Sequence, residues 1–121
     1  MSAETSTEVV LFVADGICPV LQWLDRLPGR VQRKCAAKVW WLQQRHAPKE
    51  FPTAVRDGAV CHFEILWEGT RYFLFYSVSG FRAVILHGCS CSSVPERAEF
   101  KIAEARRVEF EQDPETHIYT E

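Results

Sequence analysis

A chain of 121 residues, 47% hydrophobic and 25% charged, has the size of a single domain and can bury a core without a metal or disulfide staple. Its formal charge of −2 excludes the strong basic excess typical of nucleic-acid binders, although 14 Lys and Arg can still gather on one face. No apolar run approaches the roughly 20 residues of a membrane span, the polar start is unlike a signal peptide, and the five cysteines are odd in number. These features predict a soluble cytoplasmic protein with reduced thiols and no membrane partner.

Residues 1–8 read as a polar arm, followed by the β-branched run Val9-Val10-Leu11-Phe12-Val13, a buried strand that Asp15-Gly16 terminates. Pro19 suits the first turn of a short helix carrying Val20, Leu21, Leu24 and Leu27, which Pro28-Gly29 ends. From Arg30 to about Arg45, Val31, Cys35, Val39 and Leu42 form one stripe of a second helix, with Trp40 and Trp41 beside it. That helix stops before His46-Ala47-Pro48, and residues 47–60 read as a connecting loop.

Three aromatic and β-branched runs follow: Val60 to Trp67, Arg71 to Val78, and Phe81 to Leu86 or slightly beyond. The separators Glu68-Gly69-Thr70 and Ser79-Gly80 have the length of tight hairpin turns, so the runs form an antiparallel meander buried on much of both faces. Ser93-Val94-Pro95-Glu96 resembles a capping box that opens a helix to about Phe110, with Ile102, Ala105 and Val108 toward the sheet. The expected fold is α+β: one domain over 9–111, an N-terminal strand and two-helix hairpin, an antiparallel sheet of three to four strands, a C-terminal helix, and flexible tails at 1–8 and 112–121.

The order strand, two helices, meander, helix resembles the RelE/ParE toxin superfamily, closest to its HigB-like, phage-derived branch. The residues that carry the resemblance are Pro19-Val20-Leu21-Gln22-Trp23-Leu24-Asp25-Arg26-Leu27-Pro28, Glu64-Ile65, Tyr72 and Arg82-Ala83-Val84-Ile85-Leu86-His87-Gly88. It implies a type II toxin: an endoribonuclease cutting mRNA on the ribosome, held by a helix-turn-helix antitoxin encoded next door. Cleavage by 2′-hydroxyl attack needs a proton acceptor, a proton donor and cations at the phosphate. His87, Arg82, Arg71 and Tyr72 are the catalytic residues this implies, with no cofactor and no metal.

The family pattern breaks where the cations belong. Relatives commonly read Glu-Leu-Arg where this chain has Glu64-Ile65-Leu66, and Tyr-Arg where it has Tyr72-Phe73. An aromatic residue and a Lys-Lys-Thr run are replaced by Cys89-Ser90-Cys91-Ser92-Ser93. Losing one such group typically costs about 100-fold to 1000-fold in rate. The alternative is therefore a catalytically degenerate toxin-fold binding protein that pairs with an antitoxin or inhibits another target, as the ParE branch inhibits gyrase.

Each candidate also has a plain structural reading. His87 can bond a neighbouring carbonyl, Arg71 and Arg82 can be solvated or pair with Glu64 or Glu68, and Tyr72 can belong to the core. Trp40, Trp41 and Trp67 suit packing between helix and sheet or against an antitoxin. His87, Cys89 and Cys91 share one face if the strand persists, with Cys61-His62 on a neighbouring strand, but the spacing is not a Cys-x-x-Cys pair. Arg97, Lys101, Arg106 and Arg107, interleaved with Glu96, Glu99, Glu104 and Glu109, read as a solvated helix face.

Overall fold

In the computed structural model, which describes residues 7–44, 55–57 and 59–120, the strands and α-helices follow the expected order with one addition. They are β1 (Glu8–Leu11), α1 (Pro19–Leu24), α2 (Gly29–Gln43), β2 (Val55–Asp57), β3 (Val60–Trp67), β4 (Thr70–Ser79), β5 (Arg82–Cys91) and α3 (Arg97–Gln112). The expected end of α2 near Arg45, the His46-Ala47-Pro48 stop and residues 1–6 lie outside the described residues. No helix among the described residues is long and apolar enough to cross a membrane.

The architecture is α+β, but the sheet is larger and more mixed than an antiparallel three- or four-stranded one. It has five strands in the order β1-β5-β4-β3-β2, with β1 parallel to β5 and every other pair antiparallel. Strand β2 comes from the segment expected to be a loop: its short Val-Arg-Asp run is too brief for periodicity to mark, and pairing with β3 makes it a strand. β1 reaches its parallel register beside β5 because the helical hairpin and the meander intervene in sequence.

The hairpin turns follow from residue chemistry. Between Trp67 and Thr70, Glu68 and Gly69 both take positive φ (50° and 82°), the signature of a two-residue type I′ turn whose twist matches its strands. Gly80, also at positive φ, opens the equivalent connection from Ser79 to Arg82.

Alternation along β4 builds both cores. Tyr72, Leu74 and Tyr76 face the α1–α2 hairpin with Val20, Val31, Cys35, Leu42, Phe63 and Ile85, whereas Phe73 and Phe75 face α3 with Phe12, Val84, Leu86, Ala103 and Phe110. Burial on both faces explains why this strand reads as a continuous apolar run.

The chain departs from expectation at three further places. Helix α3 begins at Arg97 with Glu96 as N-cap and no side-chain cap bond, so Ser93 is not its cap. Ile102, Ala105 and Val108 point to solvent; the inward stripe is Glu99, Ala103, Arg106 and Phe110. The segment after α3, expected to fray, instead runs back along β1: Ile118 bridges Phe12, the Val13 amide donates to the His117 carbonyl (3.0 Å), and Tyr119 donates to Leu11 (3.0 Å).

Candidate functional site

The polar chemistry of the protein is concentrated between β5 and α3. At Phe75/Tyr76 the β4–β5 register slips, so that Tyr76 pairs with Ile85 and Phe75 with His87, leaving Leu86 as the extra residue of a β-bulge. The slip changes the phase of the strand. Before it, Ala83 and Ile85 face the α1–α2 hairpin and Val84 and Leu86 face α3; after it, His87 and Cys89 face α3. Without the bulge, His87 would point into the α1–α2 core.

Helix α3 supplies the partners. His87 Nε2 lies 2.5 Å from a Glu99 carboxylate oxygen, and Arg106 donates from Nη1 to His87 Nδ1 (3.2 Å) and to the Leu86 carbonyl (2.9 Å). Arg106 can only donate, so Nδ1 accepts and the Nε2 hydrogen goes to Glu99. The Arg106 guanidinium also sits over the Phe12 ring, 5.9 Å from its centroid. Burial holds the His87 imidazole below its ordinary pKa and the Arg106 charge adds to this, while Glu99 pulls the other way.

Cys89 completes the group. One ligand atom each from His87, Cys89 and Glu99 lies within 4.8 Å of the others. Burial, Glu99 and the nearby Cys91 push the Cys89 thiol up to about 12, so it remains protonated near neutrality. A roof of rings closes one side: Phe75 lies tilted against His87 at 5.6 Å, and Phe100 meets Phe75 edge-on at 5.2 Å and His62 edge-on at 5.6 Å. Cys61, next to His62, faces the opposite core.

The four residues expected around a phosphate are not brought together. Arg82 pairs with Ser79 and Arg71 with Cys91, at opposite ends of the β4–β5 ladder, roughly 30 Å apart at a strand rise of about 3.3 Å per residue. Arg82 binds Glu8 (2.9 Å) and Glu115 (3.6 Å), and Arg71 lies 3.4 Å from Glu64. Tyr72 is buried on the α1–α2 face, with the sheet between it and His87. His87 itself, with both ring nitrogens engaged, acts on an external group only by breaking one of those bonds.

Glu99 and Arg106, which the charge pattern places on a solvated helix face, both turn to the sheet. The signal that finds them is the 99-103-106-110 spacing through Ala103 and Phe110, which competes with the more apolar 102-105-108 series. Trp40 and Trp41 do not pack between helix and sheet: they are 55% and 48% exposed and meet edge to face at 5.9 Å. Trp67 does pack, against the Val31, Cys35, Ile65 and Tyr72 cluster, with Arg30 over its ring.

A second feature is the open side of α3. A groove of about 890 Å³ is lined by the apolar Val60, Pro95, Phe100 and Ala105 and by the charged Arg97, Lys101, Glu104 and Arg107. The exposed Ile102 and Val108 lie on the same helix. Compared with protein-family models, with curated proteins and with solved structures, the chain matches none.

Proposed function

We propose that the chain is a RelE/ParE-like toxin-fold protein that works by binding a protein partner, with the RNA-cleaving chemistry of that fold lost. The observation that carries this reading is the separation of the expected catalytic set. Arginines about 30 Å apart cannot clamp one phosphate, each faces a carboxylate, and the histidine between them is covered by α3. The charge of −2 points the same way, because a messenger held by its backbone needs converging cations.

The partner that fits is an antitoxin-like helix-turn-helix regulator from a neighbouring gene, presenting an acidic amphipathic segment to α3. The α3 groove has an apolar lining for such a segment, with Arg97 and Lys101 beside it to meet acidic groups, while Arg107 is paired with Glu104 and Glu111. The ribosome-dependent nuclease implied by the family resemblance is the competing outcome, and it requires His87 to give up its bond to Glu99 or to Arg106.

The test is to express the chain alone in bacteria, follow growth and map transcript ends, and in parallel to co-express it with the neighbouring regulator. Normal growth, intact messages and a stoichiometric complex support the binding role. Transcripts cut on ribosomes overturn it.

A further inference from the structure

We infer that His87, Cys89 and Glu99, closed by Cys91, form a zinc-type metal site that staples α3 to β5. The two cysteines do not form a Cys-x-x-Cys pair, and the helix supplies the ligand that spacing along the strand cannot show. An imidazole, a thiol and a carboxylate with ligand atoms within 4.8 Å of one another are the three donor types that Zn²⁺ accepts, and among the described residues this is the one such group.

The geometry needs a small adjustment. Tetrahedral bonds of about 2.0–2.3 Å set neighbouring ligand atoms about 3.3–3.8 Å apart. The His87–Glu99 pair, now 2.5 Å apart with a hydrogen between, opens by somewhat under about 1 Å when the ion replaces that hydrogen. Cys89, within 4.8 Å, closes in. Cys91 is two residues on and on the same face, about 6.6 Å along the strand, and its thiol now contacts the Ser93 carbonyl at 3.7 Å, an exposed interaction that a side-chain rotation releases.

Charge decides how many anionic ligands the ion takes. Arg106 stands beside the site, bound to Leu86 and to His87 Nδ1. A Zn²⁺ ion with the thiolates of Cys89 and Cys91, the Glu99 carboxylate and the Arg106 cation sums to zero. A site lacking Cys91 leaves a buried positive charge, which is costly. On binding, the imidazole hydrogen moves from Nε2 to Nδ1, so the Arg106–Nδ1 contact breaks while the Arg106–Leu86 bond remains; both thiols release their protons to solvent.

The experiment uses the full chain, reduced and stripped with a chelator, titrated with Co²⁺ and then Zn²⁺. The expected result is one cobalt per chain, with tetrahedral visible bands and a thiolate-to-metal charge-transfer band, all displaced by zinc. Cys89→Ser and Cys91→Ser should each diminish the charge-transfer band, and Glu99→Gln should weaken zinc binding by at least about 10-fold, the lower bound for losing even an outer-shell partner. Far-ultraviolet circular dichroism establishes that each variant folds; should Cys89→Ser fail, Cys91→Ser carries the same reading. Failure of the wild-type chain to bind either ion stoichiometrically, or an undiminished band and affinity in a folded Cys→Ser variant, overturns the site.

Discussion

The six-membered ring of Trp23 fills the space where a side chain at Gly88 would sit, on the face of β5 opposite His87. The two faces of this strand thus carry opposite demands one residue apart: a polar side chain at 87 for α3, and no side chain at 88 for the α1–α2 hairpin. Trp23 bridges the two hydrophobic clusters on that side and cannot retreat without opening both. Gly88→Ala should therefore destabilise the protein by about 1–3 kcal/mol, the usual cost of overpacking a filled core. A denaturant-unfolding midpoint unchanged from wild type would show that the indole moves freely.

Arg106 ties α3 to the bulge. Its bonds go to the carbonyl of Leu86, the extra residue of the bulge, and to Nδ1 of His87, the side chain that the slip in register turns toward α3. Arg106→Met keeps the length of the side chain and removes its donors, leaving a carbonyl in the interface without its side-chain partner. The expected loss is about 1–3 kcal/mol, appearing first as faster amide exchange along α3, measured in chelator-treated protein. Exchange in α3 as slow as in wild type would mean that Ala103 and Phe110 alone hold the helix.

The C-terminal segment is structural in the same sense. Backbone bonds from Val13 to His117 and from Tyr119 to Leu11, a 2.7 Å bond from His117 Nδ1 to the Val13 carbonyl and a stacked Phe12–His117 pair fasten it to β1. Truncation after Asp113 removes all of them and should cost about 2–4 kcal/mol, counting roughly 1 kcal/mol net for each hydrogen bond. Urea unfolding of the truncated chain checks this. A loss below about 0.5 kcal/mol would restore the frayed tail that its polar composition suggests.

What was legible in the sequence was the local part of the fold. The short, glycine-containing separator Glu68-Gly69-Thr70 marked a turn because glycine takes positive φ freely, and the Val31-Cys35-Leu42 stripe marked the inner face of α2. That His87, Cys89 and Cys91 share a face was legible too, but that this face turns to α3 was not, because it depends on a bulge. A one-residue slip at Leu86 reverses which side chains of β5 face α3, and no periodicity in Val84-Ile85-Leu86-His87 announces it. The inward face of α3 was missed for a related reason: Ile102 and Val108 are more apolar than Glu99 and Arg106, yet the polar pair goes inward because His87 and the Leu86 carbonyl await it.

The outward face of α3 is where the proposed binding role is most exposed to refutation. Ile102 and Val108 are 37% and 41% exposed, six residues apart on the helix that also supplies Phe100, Lys101 and Ala105 to the groove. Replacing both with Asp leaves the core contacts of Ala103 and Phe110 untouched, so stability should change by less than about 1 kcal/mol, as for most surface substitutions. It should nonetheless abolish a complex formed with an acidic amphipathic segment, by removing apolar anchors and adding like charge. Arg71→Ala and Arg82→Ala, which break exposed ion pairs at the two ends of the sheet, should leave the complex intact at a cost of under about 1 kcal/mol each in stability. Pull-down of the neighbouring regulator with each variant separates the cases: retention by the Asp double variant together with loss in either arginine variant would move the interface off α3 and onto the sheet ends.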